Sequence, residues 1–129
     1  MPSIYITNGP LEGEFYDITE DEFTIGRSTG NTILIDDEQI SGSHLGFRLD
    51  MSNGKYVMED LKSTNGTWMD GRAITSSTIL GEGDLIDIGS TQIEFSYRSY
   101  DNVEEAKEAR SSRPSRTTDT LLDDSNKNF

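Results

Sequence analysis

"LKSTNGTWMDG", residues 61–71, sets Ser63, Thr64, Asn65, Gly66 and Thr67 between the apolar Leu61 and Trp68, then closes on Asp70-Gly71. Asn-Gly and Asp-Gly are turn dipeptides, because these residue types reach positive φ at little cost. Two such signals so close together leave room between them for only a very short strand. The stretch therefore reads as loop, strand, hairpin turn, which is the pattern of an all-β chain. The first turn carries more small polar groups than a bare reversal needs.

Working outward, apolar residues recur in short alternating runs from residue 3 to residue 97. They are Ile4, Ile6; Phe15, Ile18; Phe23, Ile25; Ile33, Ile35; Leu45, Phe47, Leu49; Tyr56, Met58; Ile79; Leu85, Ile86, Ile88; and Ile93, Phe95, Tyr97. A period of two marks half-buried strands. Between the runs stand Asn8-Gly9-Pro10, Gly30-Asn31, Ser52-Asn53-Gly54, Gly81 to Asp84 and Gly89-Ser90, all turn formers. Roughly eleven strands at this spacing, with no helical stretch among them, predict an antiparallel β-sandwich over residues 1–98. Loops at the two ends of such a sandwich are where binding residues gather.

After Tyr97 the pattern changes. Asn102 with Glu105 three residues on forms an N-cap pair, and good helix formers follow, so a short helix is expected over 103–110. The rest, "SSRPSRTTDTLLDDSNKNF", is rich in Ser, Thr, Arg and Asp and reads as a disordered tail when free. The expected organisation is thus a sandwich, 1–98, and a tail, 99–129.

Charge narrows the partners. Residues 1–98 hold six Lys and Arg against seventeen Asp and Glu, and the whole chain of 129 residues has net charge −13. Such a body repels phosphate backbones and anionic headgroups, so neither nucleic acid nor membrane is expected as a partner. Any anion site has to be local. With no cysteine, and with His44 the sole histidine, no transition-metal site is expected, and no cofactor motif is present. The opening MPSIYITNGP lacks the basic and apolar succession of a secretory signal, and no apolar run approaches spanning length. A soluble, cytoplasmic protein is expected, or a nuclear one in a eukaryote.

Three polar clusters lie between strand runs: "IGRSTGN" at 25–31, "ISGSHLGF" at 40–47 and the opening loop. Arg27 offers a forked cation, Ser41 and Thr64 hydroxyls, and the neighbouring glycines accessible backbone amides. A phosphate near two negative charges would draw most of its binding from such a set. Taken alone, Gly26-Arg27 is no more than a turn with a solvated cation.

The ordered succession Gly26-Arg27, Ser41-Gly42-Ser43-His44, Ser63-Thr64-Asn65-Gly66-Thr67, then Gly83-Asp84 with Ile88-Gly89, resembles the forkhead-associated (FHA) domain, a phosphothreonine-reading β-sandwich. The resemblance covers about residues 3–97. It implies that Arg27 and Ser41 bind the phosphate, with Ser28 beside them, that Thr64 adds a donor at its edge, and that Asn65 bonds the ligand backbone. It also implies that Gly26, His44 and Gly66 shape the loops, and that phosphothreonine is preferred over phosphoserine. Gly42 departs from the family, many of whose members carry Arg or Lys there. Lys62 stands where Gly is common and would return positive charge close to the phosphate. Asp70 replaces a frequent Asn, which a type I′ turn accepts equally.

Other chemistries fit less well. Ser41 and His44 could suggest a nucleophile and base, but no G-x-S-x-G elbow accompanies them, so no enzyme is expected. The acidic "DDE" at 36–38 and "DLID" at 84–87 lack calcium-loop spacing and read as solvated faces and turns. Trp68 is expected to pack at a strand start. In the tail, Thr117, Thr118 and Thr120 stand beside Arg113 and Arg116, as in a kinase substrate segment. The expected function is therefore a phosphothreonine-binding adaptor in Ser/Thr kinase signalling, self-interacting through its phosphorylated tail. The alternative is a phospho-independent docking domain.

Overall fold

Along β1 (Ser3–Asn8), Ile4 and Ile6 are fully buried while Tyr5 and Thr7 are half-buried, the outcome that alternation dictates. The same rule turns Phe23 and Ile25 inward on β3 (Glu22–Gly26), Leu45 and Phe47 on β5 (Leu45–Asp50), and Tyr56 and Met58 on β6 (Lys55–Asp60). Ile86 and Ile88 do so on β10 (Asp84–Ile88), and Ile93 and Phe95 on β11 (Thr91–Ser96). The remaining strands are short: β2 (Phe15–Asp17), β4 (Ile33–Leu34), β7 (Thr67–Met69), β8 (Arg72–Ala73) and β9 (Thr78–Ile79). The computed structural model describes residues 2–98, and none of those residues is helical. The helix expected over 103–110 and the tail threonines lie outside the described residues.

The strands form two sheets, ordered β2-β1-β11-β10-β7-β8 and β4-β3-β5-β6-β9. Between them the inward side chains make one core, in which the Phe23 and Phe47 rings stack 4.4 Å apart. The all-β sandwich expected from the alternation is thus what the chain adopts. One pairing departs from the antiparallel rule: β3 and β4 run parallel, with Ile25 opposite Ile33 and Gly26 opposite Leu34. The connection is short because the loop doubles back along the β3 edge. There Thr24 and Thr32 each donate a backbone N–H to the other's hydroxyl, at 3.1 and 3.3 Å.

Four connections meet at one end of the sandwich: 27–32, 35–44, 61–66 and the Gly89-Ser90 turn. Backbone bonds lace the first two together, Arg27 N–H to the Ser41 carbonyl at 3.0 Å and Ser28 N–H to the Gly42 carbonyl at 3.1 Å. Ser3 and Ser96, where β1 begins and β11 ends, pair at the opposite end.

Candidate functional site

Gly26 ends β3 under a tight lid. A Cβ there would collide with the Gly42 carbonyl oxygen and lie 2.7 Å from Asn31 Nδ2, so only glycine lets the two loops approach. Asn31 then bridges them, its amide donating to the Ser28 carbonyl at 2.8 Å and the Gly42 carbonyl at 2.6 Å. The next residue, Arg27, is exposed, and its Nη1 donates to the Glu38 carbonyl at 3.1 Å. A guanidinium has five N–H donors, so that bond leaves most of the fork for a ligand.

Ser41 lies between the clusters. Its Oγ accepts the Thr64 N–H at 2.9 Å, and its own N–H donates to His44 Nδ1 at 3.1 Å. His44 is fully buried, and its Nε2 stands 2.9 Å from the Gly66 carbonyl. A ring carrying its proton on Nε2 satisfies both contacts. His44 thus pins the 41–44 segment to the 61–66 loop and faces the Ser41 amide rather than its hydroxyl. Asn65 Nδ2 donates to the Gln39 carbonyl at 2.9 Å, which leaves its Oδ1 as an acceptor.

The loop carrying Thr64 and Asn65 is shaped from beneath. Asp60 Oδ1 accepts the Ser63 N–H at 2.7 Å, and Oδ2 accepts the hydroxyls of Ser63 and Thr67, both at 2.6 Å. Ser63 Oγ in turn accepts the Gly66 N–H at 3.0 Å. Partial burial works against the charge on Asp60, but the Ser63 and Thr67 bonds together outweigh it and hold the carboxyl below its ordinary range. Gly66 has φ of 91° and lies under the Trp68 ring, whose Cη2 is 3.1 Å from where a Cβ would be. Trp68 itself points outward from the middle of β7 and is 39% exposed, so it covers Gly66 instead of entering the core.

Arg27, Ser41, Thr64, Asn65, Gly26, His44 and Gly66 are therefore joined in one bonded lattice. Ser28 belongs to it as well: a Cβ on Gly42 would stand 2.6 Å from Ser28 Oγ, so the serine hydroxyl fills the space above that glycine. Lys62 stands apart. At φ of 61° it takes the left-handed conformation that glycine favours, and it lines a hollow of about 390 Å³ with Asp60, Ile74 and Thr75.

Sequence reasoning missed the residues underneath. Asp37 was expected on a solvated face but is 4% exposed, because its carboxylate accepts four hydrogen bonds. Asp84, in the other acidic stretch, is 9% exposed and accepts the Gly81 N–H at 2.6 Å. Asp60 and Asn31 carried no signal beyond their proximity to turns.

Comparison with known proteins agrees with the fold. The FHA domain family model matches residues 23–89. The FHA domain-containing protein FhaB of Mycobacterium tuberculosis is 34% identical over 91 residues, covering 70% of this chain and 57% of the relative. The chain thus spans little more than half of FhaB's length. Among solved structures, the FHA domain of an Arabidopsis thaliana hypothetical protein superposes with a TM-score of 0.71 at 34% identity, covering 78% of this chain and 88% of that one. A second, solved in a study of phosphothreonine-dependent FHA domain interactions, gives 0.66 at 26%, covering 77% and 98%. With the sheet order, the laced loops and the matched segment in accord, the chain belongs to the FHA domain family.

Proposed function

We propose that this protein is a phosphothreonine-dependent binding module that acts as an adaptor in Ser/Thr kinase signalling. The observation that carries the reading is the lattice in which Arg27, Ser41, Thr64 and Asn65 share one end of the sandwich. A phosphate near two negative charges gains charge-assisted bonds from Arg27, from Ser41 Oγ and from the loop hydroxyl of Thr64. Asn65 Oδ1 meets the ligand backbone. The acidic body favours ligands with basic residues beside the phosphothreonine. A relative solved in the context of phosphothreonine-dependent interactions supports the class of ligand. The His44 ring, spent on backbone groups, supports binding without a catalytic step. Phosphorylation of the chain's own Thr118 or Thr120 would supply a tethered ligand and so regulate access by partners.

Arg27→Ala and Ser41→Ala each test this. A charged hydrogen bond lost from a buried complex costs about 2–5 kcal/mol, so phosphothreonine-peptide affinity, measured by calorimetry, should fall at least tenfold. Circular dichroism should be unchanged. Equal binding by both variants, or equal binding of the unphosphorylated peptide, would overturn the reading in favour of phospho-independent docking.

A further inference from the structure

Asp37 joins the two sheets at the end where the polar clusters meet. Its Oδ2 accepts the Ser90 N–H at 2.9 Å, the Ser90 hydroxyl at 2.7 Å and the Thr91 hydroxyl at 2.9 Å. Its Oδ1 accepts the Gln39 N–H at 2.9 Å. Ser90 and Thr91 belong to the β10–β11 reversal of one sheet, while Asp37 and Gln39 belong to the connection between β4 and β5 of the other. Gly89 makes the approach feasible: at φ of 57°, a Cβ there would stand 3.0 Å from Ile40 Cγ1 and 3.1 Å from Asp37 Oδ2.

What this carboxylate holds is the backbone on which two site residues rest. Arg27 Nη1 sits on the Glu38 carbonyl and Asn65 Nδ2 on the Gln39 carbonyl, consecutive oxygens immediately after Asp37. Ser41, two residues further on, receives the Thr64 amide. We infer that Asp37 is a positioning residue for ligand binding, and that it clamps the 38–41 backbone to the Gly89-Ser90 turn so that Arg27 and Asn65 stand at a fixed separation. The inference rests on the phosphothreonine reading of the same site. It adds that a turn outside the three polar clusters, in the other sheet, sets the affinity. All four groups around the carboxylate are donors. An asparagine would turn an N–H toward at least one of them and leave that contact broken.

The experiment uses the full chain with Asp37→Asn and, as a milder variant at an exposed position, Ser90→Ala, which removes one of the three bonds on Oδ2. In ligand-free protein, the Asn65 side-chain amide and the Ser41 and Thr64 backbone amides should shift by NMR in both variants, more in Asp37→Asn. The Ile6 and Ile93 amides, in the β1–β11 pair, should stay in place. Phosphothreonine-peptide affinity should fall roughly tenfold for Asp37→Asn, which loses the carboxylate's charge as well as a bond and sets a donor against a donor, and about two- to threefold for Ser90→Ala, which loses one hydrogen bond. Site amides that do not move, or affinity unchanged in both variants, overturn the inference. So does an affinity loss matched by the lowered fraction folded in urea titrations. If wild type binds no phosphothreonine peptide, the phosphothreonine reading fails, while the ligand-free amide shifts still decide whether the clamp exists.

Discussion

Asp60 shows how a single side chain can shape a loop it never enters. Three donors from Ser63 and Thr67 converge on its carboxylate at 2.6–2.7 Å, and they hold the loop most firmly while that group is ionised. Asp60 and Asp37 are both held below the ordinary carboxylate range: burial opposes the charge in each, and the summed hydrogen bonds prevail. A carboxyl depressed in the fold contributes stability that is complete above its unfolded value and is lost as pH falls through its folded value. Urea midpoints should therefore hold steady at neutral pH and drop below about pH 4, and Asp60→Asn should lower the neutral midpoint while flattening that drop. A wild-type acid profile unaltered in Asp60→Asn would refute the assignment. At this scale the sequence was legible where a residue type has one use, as with Arg27. It was silent where an aspartate has several, since nothing in "DDE" tells the buried Asp37 from its exposed neighbours Asp36 and Glu38.

Among the elements, the β7–β8 hairpin was the most readable. Asp70 and Gly71 have φ of 52° and 83°, and Met69 pairs with Arg72 across them, which is the two-residue type I′ turn that an Asp-Gly pair encodes. Gly71→Ala should lower unfolding stability by about 1 kcal/mol, because an L side chain there enters the left-handed region. Asp70→Asn should leave stability within a few tenths of 1 kcal/mol, because both residue types tolerate that region. Neither should change phosphopeptide affinity, and a change in it would place this turn within the ligand's reach. The parallel β3–β4 pair was illegible for a physical reason. A two-residue strand has too few alternations to announce its direction, and its partner is set by the Thr24–Thr32 exchange and by Asn31. Lys62 is similar: the sequence shows a lysine where the family favours glycine, while only the backbone shows that the position is left-handed.

For the molecule as a whole, charge and strand order decide how ligands arrive. From Arg98 to Thr118 is 20 residues. As coil these would span roughly 25 Å. The β11 strand that separates Ser96 from the Gly89-Ser90 end has six residues, or about 20 Å at the usual strand rise. On the proposed reading, a phosphorylated Thr118 would then be a ligand for the Arg27 end of its own chain. Full-length protein phosphorylated at Thr118 should show Ser41 and Thr64 amides shifted from those of the unphosphorylated chain, the shifts persisting on dilution and vanishing in Arg27→Ala. Shifts that fade on dilution would indicate binding between chains, and no shift at all would refute self-recognition.

The pairing of Ser3 with Ser96 carries a different consequence. The chain enters and leaves the sandwich through neighbouring central strands, at the end remote from Arg27. A unit whose entrance and exit lie side by side can be spliced into a surface turn of a host protein, or threaded with others in tandem, with its Arg27 end still pointing away from the junction. The strand order thus makes the sandwich portable as well as stable.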